Sequence, residues 1–278
     1  MPGDPCIAFI GGGNMARCLI GGLLHKGFAA TRIHVADPSA AQLEFLRQHY
    51  PVHTTGDNAN AVQGAQVVVF AVKPQAFRDA ARPLAPALAK TRPLIISIAA
   101  GIAEPDIRRW LGYDAAIVRV MPNTPALHGA GAAALYANHF VSAEQRMLAE
   151  NLFKAVGIAL WVDHERHMNA VTAVSGSGPA YFFLLMEILE AAARELGLPA
   201  EITRKLVRQT AYGAARMALE SKEDAATLCR QVTSPGGTTA AALGVLHEAQ
   251  LREIFLKALT AARDRGAELS RELGRESA

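Results

Sequence analysis

Short runs of β-branched and apolar residues recur along the first half of the chain, and a stretch of helical composition separates each run from the next. The runs are CIAFI (6–10), RIHVA (32–36), QVVVFAV (66–72), PLIISIA (93–99) and AIVRVM (116–121). This alternation is typical of parallel strands joined by crossover helices. A last strand-like run, GIALWV at 157–162, follows a predicted helix around 143–156. We therefore predict an α/β domain over residues 1–165.

From about Arg166 onward the sequence predicts helices only. Short breaks rich in Gly, Pro or Ser separate them: SGSGP (175–179), GLP (197–199), SKED (221–224) and SPGG (234–237). We therefore predict a second, all-helical domain over residues 166–278. A chain of 278 residues, 51% of them hydrophobic, is long enough for two such domains.

The predicted helix that begins near Pro179 is apolar nearly all round, with the sequence PAYFFLLMEILEAAA. One face of one neighbour cannot cover such a helix, so we expect a second subunit to cover it. The alternative is a helix at the centre of a bundle formed by a single chain. Glu187 and Glu190 interrupt the apolar run, which is shorter than the roughly 20 residues that a membrane span needs. We expect a buried helix and no membrane association.

Charge and cysteine content narrow the classes of partner and compartment. The chain has 28 basic and 25 acidic residues and no dense run of Lys and Arg, so we expect no nucleic-acid partner. Cys6, Cys18 and Cys229 have neither C-x-x-C nor metal-ligand spacing, and we interpret them as reduced core thiols. The opening MPGDPCIAFIGGG lacks the features of a signal peptide, so we expect a cytoplasmic protein.

A glycine motif follows the first predicted strand. Gly11, Gly13 and Ala16 have G-x-G-x-x-A spacing between that strand and the start of a helix. Glycines at these positions permit a tight turn and close approach of a pyrophosphate, and the helix N-terminus offers unpaired N–H groups. We predict a Rossmann dinucleotide-binding domain; the alternative is a tight turn without a ligand.

Asp37 ends the second predicted strand. An acidic side chain there accepts hydrogen bonds from the adenosine ribose of a dinucleotide, and the same carboxylate would repel a 2′-phosphate. The alternative role is helix capping before PSAAQ. Both roles are compatible, because Asp followed by Pro also starts a helix well.

Three further loops follow the carboxyl ends of predicted strands, at the edge of the sheet where a cofactor would lie. They are AVKP (71–74), SIAAG (97–101) and MPNTPA (121–126). Lys73 is a candidate for binding cofactor phosphate or ribose hydroxyls, and the alternative is a solvated surface lysine. The two prolines of MPNTPA predict a rigid loop.

Motifs of several other functional classes are missing from the sequence. His164 and His167 have helical i, i+3 spacing but no third ligand nearby in the sequence, so we predict no metal site and a solvated domain junction instead. There is no G-x-S-x-G elbow and no Walker loop, which argues against a hydrolase or a nucleotide triphosphatase.

Six motifs stand together in order: IGGGNMA, AVKPQ, SIAAG, MPNTPAL, VSGSGPAYFF and SPGGTT. With them the chain closely resembles the pyrroline-5-carboxylate reductase family over essentially its whole length. The resemblance implies NAD(P)H-dependent reduction of 1-pyrroline-5-carboxylate to L-proline, the last step of proline biosynthesis. It also implies a Rossmann domain followed by a helical domain that interleaves with its twin. The expected assembly is a homodimer, with a decamer as a further option.

The resemblance assigns roles to matching positions. For the cofactor, NADP or NAD, it implies Gly12, Asn14, Met15, Asn58, Val72, Lys73 and Ala99, and the loop motifs add Gly11, Gly13, Asp37 and Pro74. For the substrate it implies Ser234, Thr238 and Thr239. Thr239 is the expected catalytic residue, whose hydroxyl meets the ring nitrogen.

Two glycine-containing breaks are the expected substrate loops. SPGGTT is interpreted as a helix N-terminus whose glycines, Gly237 among them, leave N–H groups free for the substrate carboxylate. The alternative is a plain loop with Ser234 as N-cap and Pro235 at the first helical position. SGSGP, with Ser177 and Gly178, predicts a second bare turn near the nicotinamide or the substrate.

The implied chemistry is hydride transfer from C4 of the reduced nicotinamide to the imine carbon, with most of the catalysis arising from positioning. A protonated imine needs no strong acid, and Thr239 can hydrogen-bond the nitrogen and orient or relay its proton. Asp37 departs from the family, in which Ser or a small residue often holds the 2′-phosphate. We therefore expect both cofactors to be used, with the preference open. Lys222, near a position where some relatives are acidic, is assigned no role.

Two other functions compete with this interpretation. A hydroxyacid dehydrogenase of the 6-phosphogluconate type shares the glycine-rich opening, but it needs a catalytic lysine where this chain has Tyr181, Phe182 and Phe183. A dinucleotide-sensing protein that has lost turnover is the non-enzyme alternative, and the intact SPGGTT and SGSGP segments argue against it.

Overall fold

The computed structural model describes residues 4–275, and its sheet has eight strands. They are β1 Ile7–Ile10, β2 Ile33–Ala36, β3 His53–Thr55, β4 Val67–Phe70, β5 Leu94–Ser97, β6 Ile117–Met121, β7 Gly131–Ala137 and β8 Gly157–Trp161. Their order across the sheet is β3-β2-β1-β4-β5-β6-β7-β8. Strands β1 to β6 pair in parallel, β7 is antiparallel to β6, and β8 is parallel to β7.

The parallel part of the sheet has the 3-2-1-4-5-6 strand order of a Rossmann domain, which confirms the predicted fold. Its central strands are buried on both faces. In β1, Ile7 and Phe9 belong to one hydrophobic cluster, and Ala8 and Ile10 belong to the other. Burial on both faces explains why these strands are continuous apolar runs in the sequence and do not alternate with polar residues.

Strands β3 and β7 are missing from the sequence prediction. β3 is the three-residue segment HTT, which is not fully buried. β7 is GAAALYA, which contains no β-branched residue and therefore lacks the composition of a strand. Its pairing with β6 on one side and β8 on the other determines its conformation, and neither pairing is visible in the local sequence.

Helices lie between the strands and make up most of the described chain after them. They are α1 Asn14–His25, α2 Ala40–His49, α3 Asn58–Ala61, α4 Phe77–Ala81, α5 Ala85–Thr91, α6 Glu104–Leu111, α7 Ala143–Lys154, α8 His167–Val171, α9 Gly178–Glu195, α10 Ala200–Glu220, α11 Ala225–Gln231, α12 Thr238–Glu248 and α13 Leu251–Arg275. Between residues 167 and 275 the structure contains helices and connections but no strand, as the sequence predicts.

The chain divides into two compact units, the first being Met1–Ser177 with Ala262–Ala278 and the second Gly178–Ala261. Within the first unit, the C-terminal part of α13 packs on the Rossmann part. The Arg109 guanidinium donates a hydrogen bond to the Gly274 carbonyl at 3.0 Å. The Cβ of Leu269 lies 3.5 Å from the point that a side-chain carbon on Gly101 would occupy. This division differs from the predicted boundary between residues 165 and 166, which stays a prediction.

The SGSGP segment does not interrupt the helical path, contrary to the prediction. Thr172–Gly176 forms a π-helical turn between α8 and α9, and the Ser177 N–H donates to the Thr172 carbonyl at 2.8 Å. The predicted bare turn is therefore wrong, because an i→i+5 hydrogen bond occupies that N–H group. Within the described residues, the helical stretch His167–Glu195 is long enough and apolar enough to cross a membrane, judged by length and composition only.

The apolar surface of α9 is exposed in the single chain. Phe182, Phe183 and Leu189 retain 65%, 64% and 55% of their accessible surface. The alternative in which α9 fills the centre of a single-chain bundle is therefore wrong, and the expected cover by a second subunit stays a prediction. Exposed apolar surface of this extent marks an interaction site.

The cysteines divide between core and surface. Cys6 and Cys18 are buried as predicted, and burial raises the pKa of both thiols. The Cys18 thiol donates to the Asn14 carbonyl at 2.9 Å. Cys229 is exposed on α11, so its interpretation as a core thiol is wrong.

Helix α7 begins with a capping box, and we predict that its two halves are coupled. The Ser142 hydroxyl accepts the Gln145 N–H at 3.2 Å, and the Gln145 side chain accepts the Ser142 N–H at 3.0 Å. Ser142→Ala should lower the free energy of unfolding by about 1 kcal/mol. In urea unfolding, the double variant with Gln145→Ala should lose less than the sum of the single variants; additive losses would contradict a reciprocal cap.

Candidate functional site

The carboxyl ends of four strands lie side by side at one edge of the sheet. Ile10 at the end of β1 is in register with Ala36 of β2 and with Phe70 of β4, and Phe70 is in register with Ser97 of β5. The loops after these strands therefore share one edge, at the point where the chain order reverses beside β1. They contain the glycine motif, Asp37, AVKP and SIAAG.

Gly11 makes the turn after β1. Its φ is 101°, a conformation that favours glycine, and its N–H donates to the Ala36 carbonyl at 2.7 Å. A Cβ on this residue would lie 2.7 Å from the Ala71 carbonyl oxygen. The fold itself therefore requires the first glycine of the motif, whether or not a ligand binds.

Asp37 supports the glycine loop. Its Oδ2 accepts the Gly12 N–H at 2.8 Å, and its Oδ1 accepts the Ser39 N–H at 2.8 Å. The N-cap of α2 is Ser39, whose hydroxyl accepts the Gln42 N–H at 3.4 Å. The alternative role of Asp37 as the helix cap is therefore wrong. Its carboxylate remains at the end of β2, where a ribose hydroxyl would be bound.

Gly13 is the N-cap of α1, and no side chain caps this helix. Apart from the adjoining backbone, nothing in the described residues lies within 4 Å of a Cβ built on Gly13, so packing does not require glycine there. A pyrophosphate on the first turn would require it, because its oxygens would occupy that space and accept the free N–H groups. Asn14 is exposed and Met15 is half-buried at the same helix end. These features fit a dinucleotide.

The remaining cofactor candidates lie on loops after neighbouring strands. Lys73 is exposed and precedes the short turn Pro74–Ala76, with half-buried Val72 before it. Ala99 is buried in the loop after β5, and half-buried Asn58 begins α3 after β3. The structure therefore gathers the residues of this group at or near the sheet edge that the strand register defines.

Asn123 attaches its own loop to two neighbouring elements, a role that the sequence does not predict. Its amide group donates to the Ser175 carbonyl at 3.1 Å, and its side-chain oxygen accepts the Ala132 N–H at 2.9 Å. The MPNTPA loop is thereby attached both to the SGSG segment and to β7. The available signal was an amide side chain held between two prolines in a loop already predicted to be rigid.

A buried ion pair connects β6 to the segment after β8. The Arg119 guanidinium, 8% exposed, donates to Glu165 Oε1 at 2.6 Å, and the same oxygen accepts the Glu104 N–H at 2.6 Å. Burial raises the pKa of Tyr136, which faces Arg119 across the strands; the charges of Glu165 and Glu104 raise it further, and Arg119 opposes them. The segment predicted as a solvated junction is thus anchored to the sheet. Within residues 4–275 no group of three or more His, Cys, Asp or Glu side chains could hold a metal ion.

In the second unit, SPGG forms the turn before α12. The Gly237 N–H donates to the Ser234 carbonyl at 3.1 Å, and Gly237 is the N-cap, with no side-chain cap. The helix begins at Thr238, so the alternative with Ser234 as N-cap and Pro235 at the first helical position is wrong. Thr238 is exposed and Thr239 is half-buried. The first N–H groups of α12 lack intrahelical partners, and such groups can bind a carboxylate.

Comparison with known proteins decides the family. Residues 165–269 match the family described as pyrroline-5-carboxylate reductase dimerisation, and residues 6–101 match NADP oxidoreductase, coenzyme F420-dependent. The pyrroline-5-carboxylate reductase of Pseudomonas aeruginosa is 51% identical over 97% of this chain and 98% of its own. This chain belongs to the pyrroline-5-carboxylate reductase family.

Solved structures of pyrroline-5-carboxylate reductases have the same fold as this chain. The Coxiella burnetii structure is 48% identical with a TM-score of 0.92, covering 96% of this chain and 99% of its own. The Plasmodium falciparum structure, which has NADP bound, is 28% identical with a TM-score of 0.85, covering 96% and 98%. Membership of the pyrroline-5-carboxylate reductase family replaces the hydroxyacid dehydrogenase alternative. The dimerisation match spans α8 to most of α13 and therefore includes the exposed apolar helix and SPGGTT.

Proposed function

We propose that this chain reduces 1-pyrroline-5-carboxylate to L-proline with NADH or NADPH, the last step of proline biosynthesis. The observation that carries the proposal is the 51% identity, over 97% of the chain, to the Pseudomonas aeruginosa enzyme of that name. The open space at Gly13 and the uncapped start of α12 support it. They provide, respectively, a site suited to a pyrophosphate and a site suited to a carboxylate.

The residues at the sheet edge act on the cofactor by positioning it. When bound, the reduced nicotinamide supplies a hydride to the imine carbon. The N–H groups of Gly13, Asn14 and Met15 bind the pyrophosphate at the start of α1, and Asp37 accepts hydrogen bonds from the adenosine ribose. The other cofactor residues in this proposal are Gly11, Gly12, Asn58, Val72, Lys73, Pro74 and Ala99.

The residues of the second helical segment act on the substrate. The free N–H groups of Thr238 and Thr239 bind its carboxylate, and Gly237 and Ser234 shape the turn that presents them. The Thr239 hydroxyl hydrogen-bonds the ring nitrogen, keeping the proton on it while the imine carbon gains the hydride, so that the product is a secondary amine. Ser177 and Gly178 complete the proposed substrate set. Ser177 contributes its hydroxyl, because its N–H already donates to the Thr172 carbonyl, and Gly178 contributes its small size.

The assembly we propose is a homodimer in the cytoplasm, with a decamer as its larger form. The exposed faces of Phe182, Phe183 and Leu189 support a dimer, because a second copy of α9 would cover them. The same covering accounts for the apolar stretch His167–Glu195 without a membrane, and the near balance of charge supports no nucleic-acid partner. The functional domains in this proposal are residues 1–165 and 166–278.

The test is oxidation of NADH and of NADPH, followed at 340 nm with 1-pyrroline-5-carboxylate present or absent. Substrate-dependent oxidation of either cofactor, with proline as the product by chromatography, is the expected result. If neither cofactor is oxidised although both bind, the chain is the dinucleotide-sensing protein considered above and the proposed activity is wrong.

Asp37→Ser is expected to shift the cofactor preference toward NADPH by about tenfold in the ratio of kcat/KM values. Removing a negative charge beside the ribose favours a 2′-phosphate by about 1.4 kcal/mol. The matched control is Asp224→Ser, which removes a carboxylate that caps α11 through the Thr227 N–H at 2.7 Å. If the NADPH-to-NADH ratio of kcat/KM values were the same in Asp37→Ser as in the control, Asp37 would only support the glycine loop and would not affect cofactor preference.

A further inference from the structure

Arg17 is held at the start of α1 by three contacts. Its Nε donates to the Gly12 carbonyl at 3.2 Å, and one terminal nitrogen donates to the side-chain oxygen of Gln42. The guanidinium carbon lies 3.6 Å from the centre of the Phe45 ring. Stacking on an aromatic ring fixes the guanidinium plane and leaves its other edge available for a ligand.

Arg17 lies near Asp37, where the adenosine ribose is proposed to bind, because both side chains contact Gly12. Its carbonyl accepts from Arg17, while its N–H donates to Asp37 Oδ2 at 2.8 Å. A cation and an anion therefore contact the same residue of the glycine loop, next to the end of β2. In dinucleotide-binding domains the acidic residue here takes the ribose hydroxyls, and a nearby arginine can accommodate a 2′-phosphate.

The feature that carries the inference is that the Arg17 side chain has N–H donors left for a ligand. A guanidinium has five N–H donors, and within residues 4–275 hydrogen bonds from the Arg17 side chain reach only Gly12 and Gln42. Arg17 is half-buried and the neighbouring Asn14 is exposed, so a ligand can reach the guanidinium. The two N–H groups that Asp37 already accepts, from Gly12 and Ser39, disperse its charge and reduce its repulsion of a phosphate.

We propose that Arg17 binds the 2′-phosphate of NADPH and determines how well this chain accepts NADPH despite Asp37. The inference rests on the proposed function only in requiring an adenine dinucleotide at the glycine loop. Arg17 is thus a specificity-determining residue, and Asp37 and Arg17 together make the site suitable for either cofactor.

The test measures binding of two cofactor fragments, 2′,5′-ADP (adenosine 2′,5′-bisphosphate) and 5′-AMP, to the full chain by calorimetry. The quantity of interest is the ratio of their dissociation constants, because the fragments differ only in the 2′-phosphate. Arg17→Gln should reduce the preference for 2′,5′-ADP at least tenfold, and Arg17→Lys should recover part of it. The matched control is Arg47→Gln on α2, whose guanidinium contacts Thr54 and Glu44 on the exposed surface; it should keep the wild-type ratio.

The outcomes separate this proposal from the proposed function. An unchanged ratio in Arg17→Gln, or an equal loss of affinity for both fragments, would overturn the inference and limit Arg17 to holding Gly12. Failure of the wild-type chain to bind either fragment would overturn it as well. Neither fragment carries a nicotinamide, so lack of turnover would reject the reductase activity without affecting the ratio, and a changed ratio would not by itself establish that activity.

Discussion

Gly11→Ala should lower the free energy of unfolding by at least about 2 kcal/mol and weaken NADH binding at least tenfold. The backbone of residue 11 has φ of 101°, which costs a residue with a Cβ roughly 1–2 kcal/mol. The new methyl group would also lie 2.7 Å from the Ala71 carbonyl oxygen, so β1 and β4 would have to separate at their carboxyl ends. Denaturant unfolding and fluorescence titration with NADH measure the two effects.

Gly13→Ala is the matched comparison, because it adds the same methyl group two residues away. Apart from the adjoining backbone, no atom of the described residues lies within 4 Å of it, and φ of −70° is open to alanine, so the free energy of unfolding should change by less than about 1 kcal/mol. NADH binding should still weaken about tenfold, since the methyl group would occupy the space proposed for the pyrophosphate. Normal NADH affinity in Gly13→Ala would contradict the placement of the cofactor on the first turn of α1.

Thr239→Val should lower kcat about 100-fold with the shape of the side chain retained. The substitution removes the hydroxyl proposed to hold the ring nitrogen and its proton, and loss of one positioned hydrogen-bond partner at a reacting centre costs roughly 10²–10³-fold in kcat. The loss should appear in kcat more than in the KM for NADH, because Thr239 belongs to the substrate set. Steady-state assays at 340 nm with both substrates varied measure this.

Thr239→Ser is the control for that prediction, because serine keeps the hydroxyl at the second position of α12. It should retain most of the wild-type kcat. A Thr239→Val enzyme with kcat within threefold of the wild type would reject the proposed role, and an equal loss in Thr239→Ser would show that the methyl group matters more than the hydroxyl.

The sequence predicts the central strands well because they are buried on both faces and therefore appear as uninterrupted apolar runs. It cannot predict β7, whose small residues take a strand conformation only through pairing with β6 and β8. The SGSGP segment shows the opposite error. Glycine and serine there favour a break, but the π-helical turn keeps the chain helical through the Ser177 to Thr172 hydrogen bond.

The candidate site likewise contains residues that the sequence predicts and residues that it does not. Gly11 and Asp37 follow strands directly, so their positions can be derived from spacing. The sequence does not point to Asn123 or Arg17, because their importance comes from contacts that local sequence does not encode, with Ser175 and Ala132 for Asn123 and with Gln42 and Phe45 for Arg17. The start of α12 at Thr238 could be anticipated from its glycines, although the detailed cap could not.

The packing of the end of α13 against the first unit has a consequence for synthesis on the ribosome. Gly101 emerges long before its neighbour Leu269, and Arg109 long before Gly274. At about 5–20 residues per second, the intervening chain takes roughly 10–30 s to translate. During that interval the nascent Rossmann sheet lacks the helix that supports its SIAAG loop. Dinucleotide is therefore expected to bind weakly to the nascent chain and at full strength only once α13 has been released.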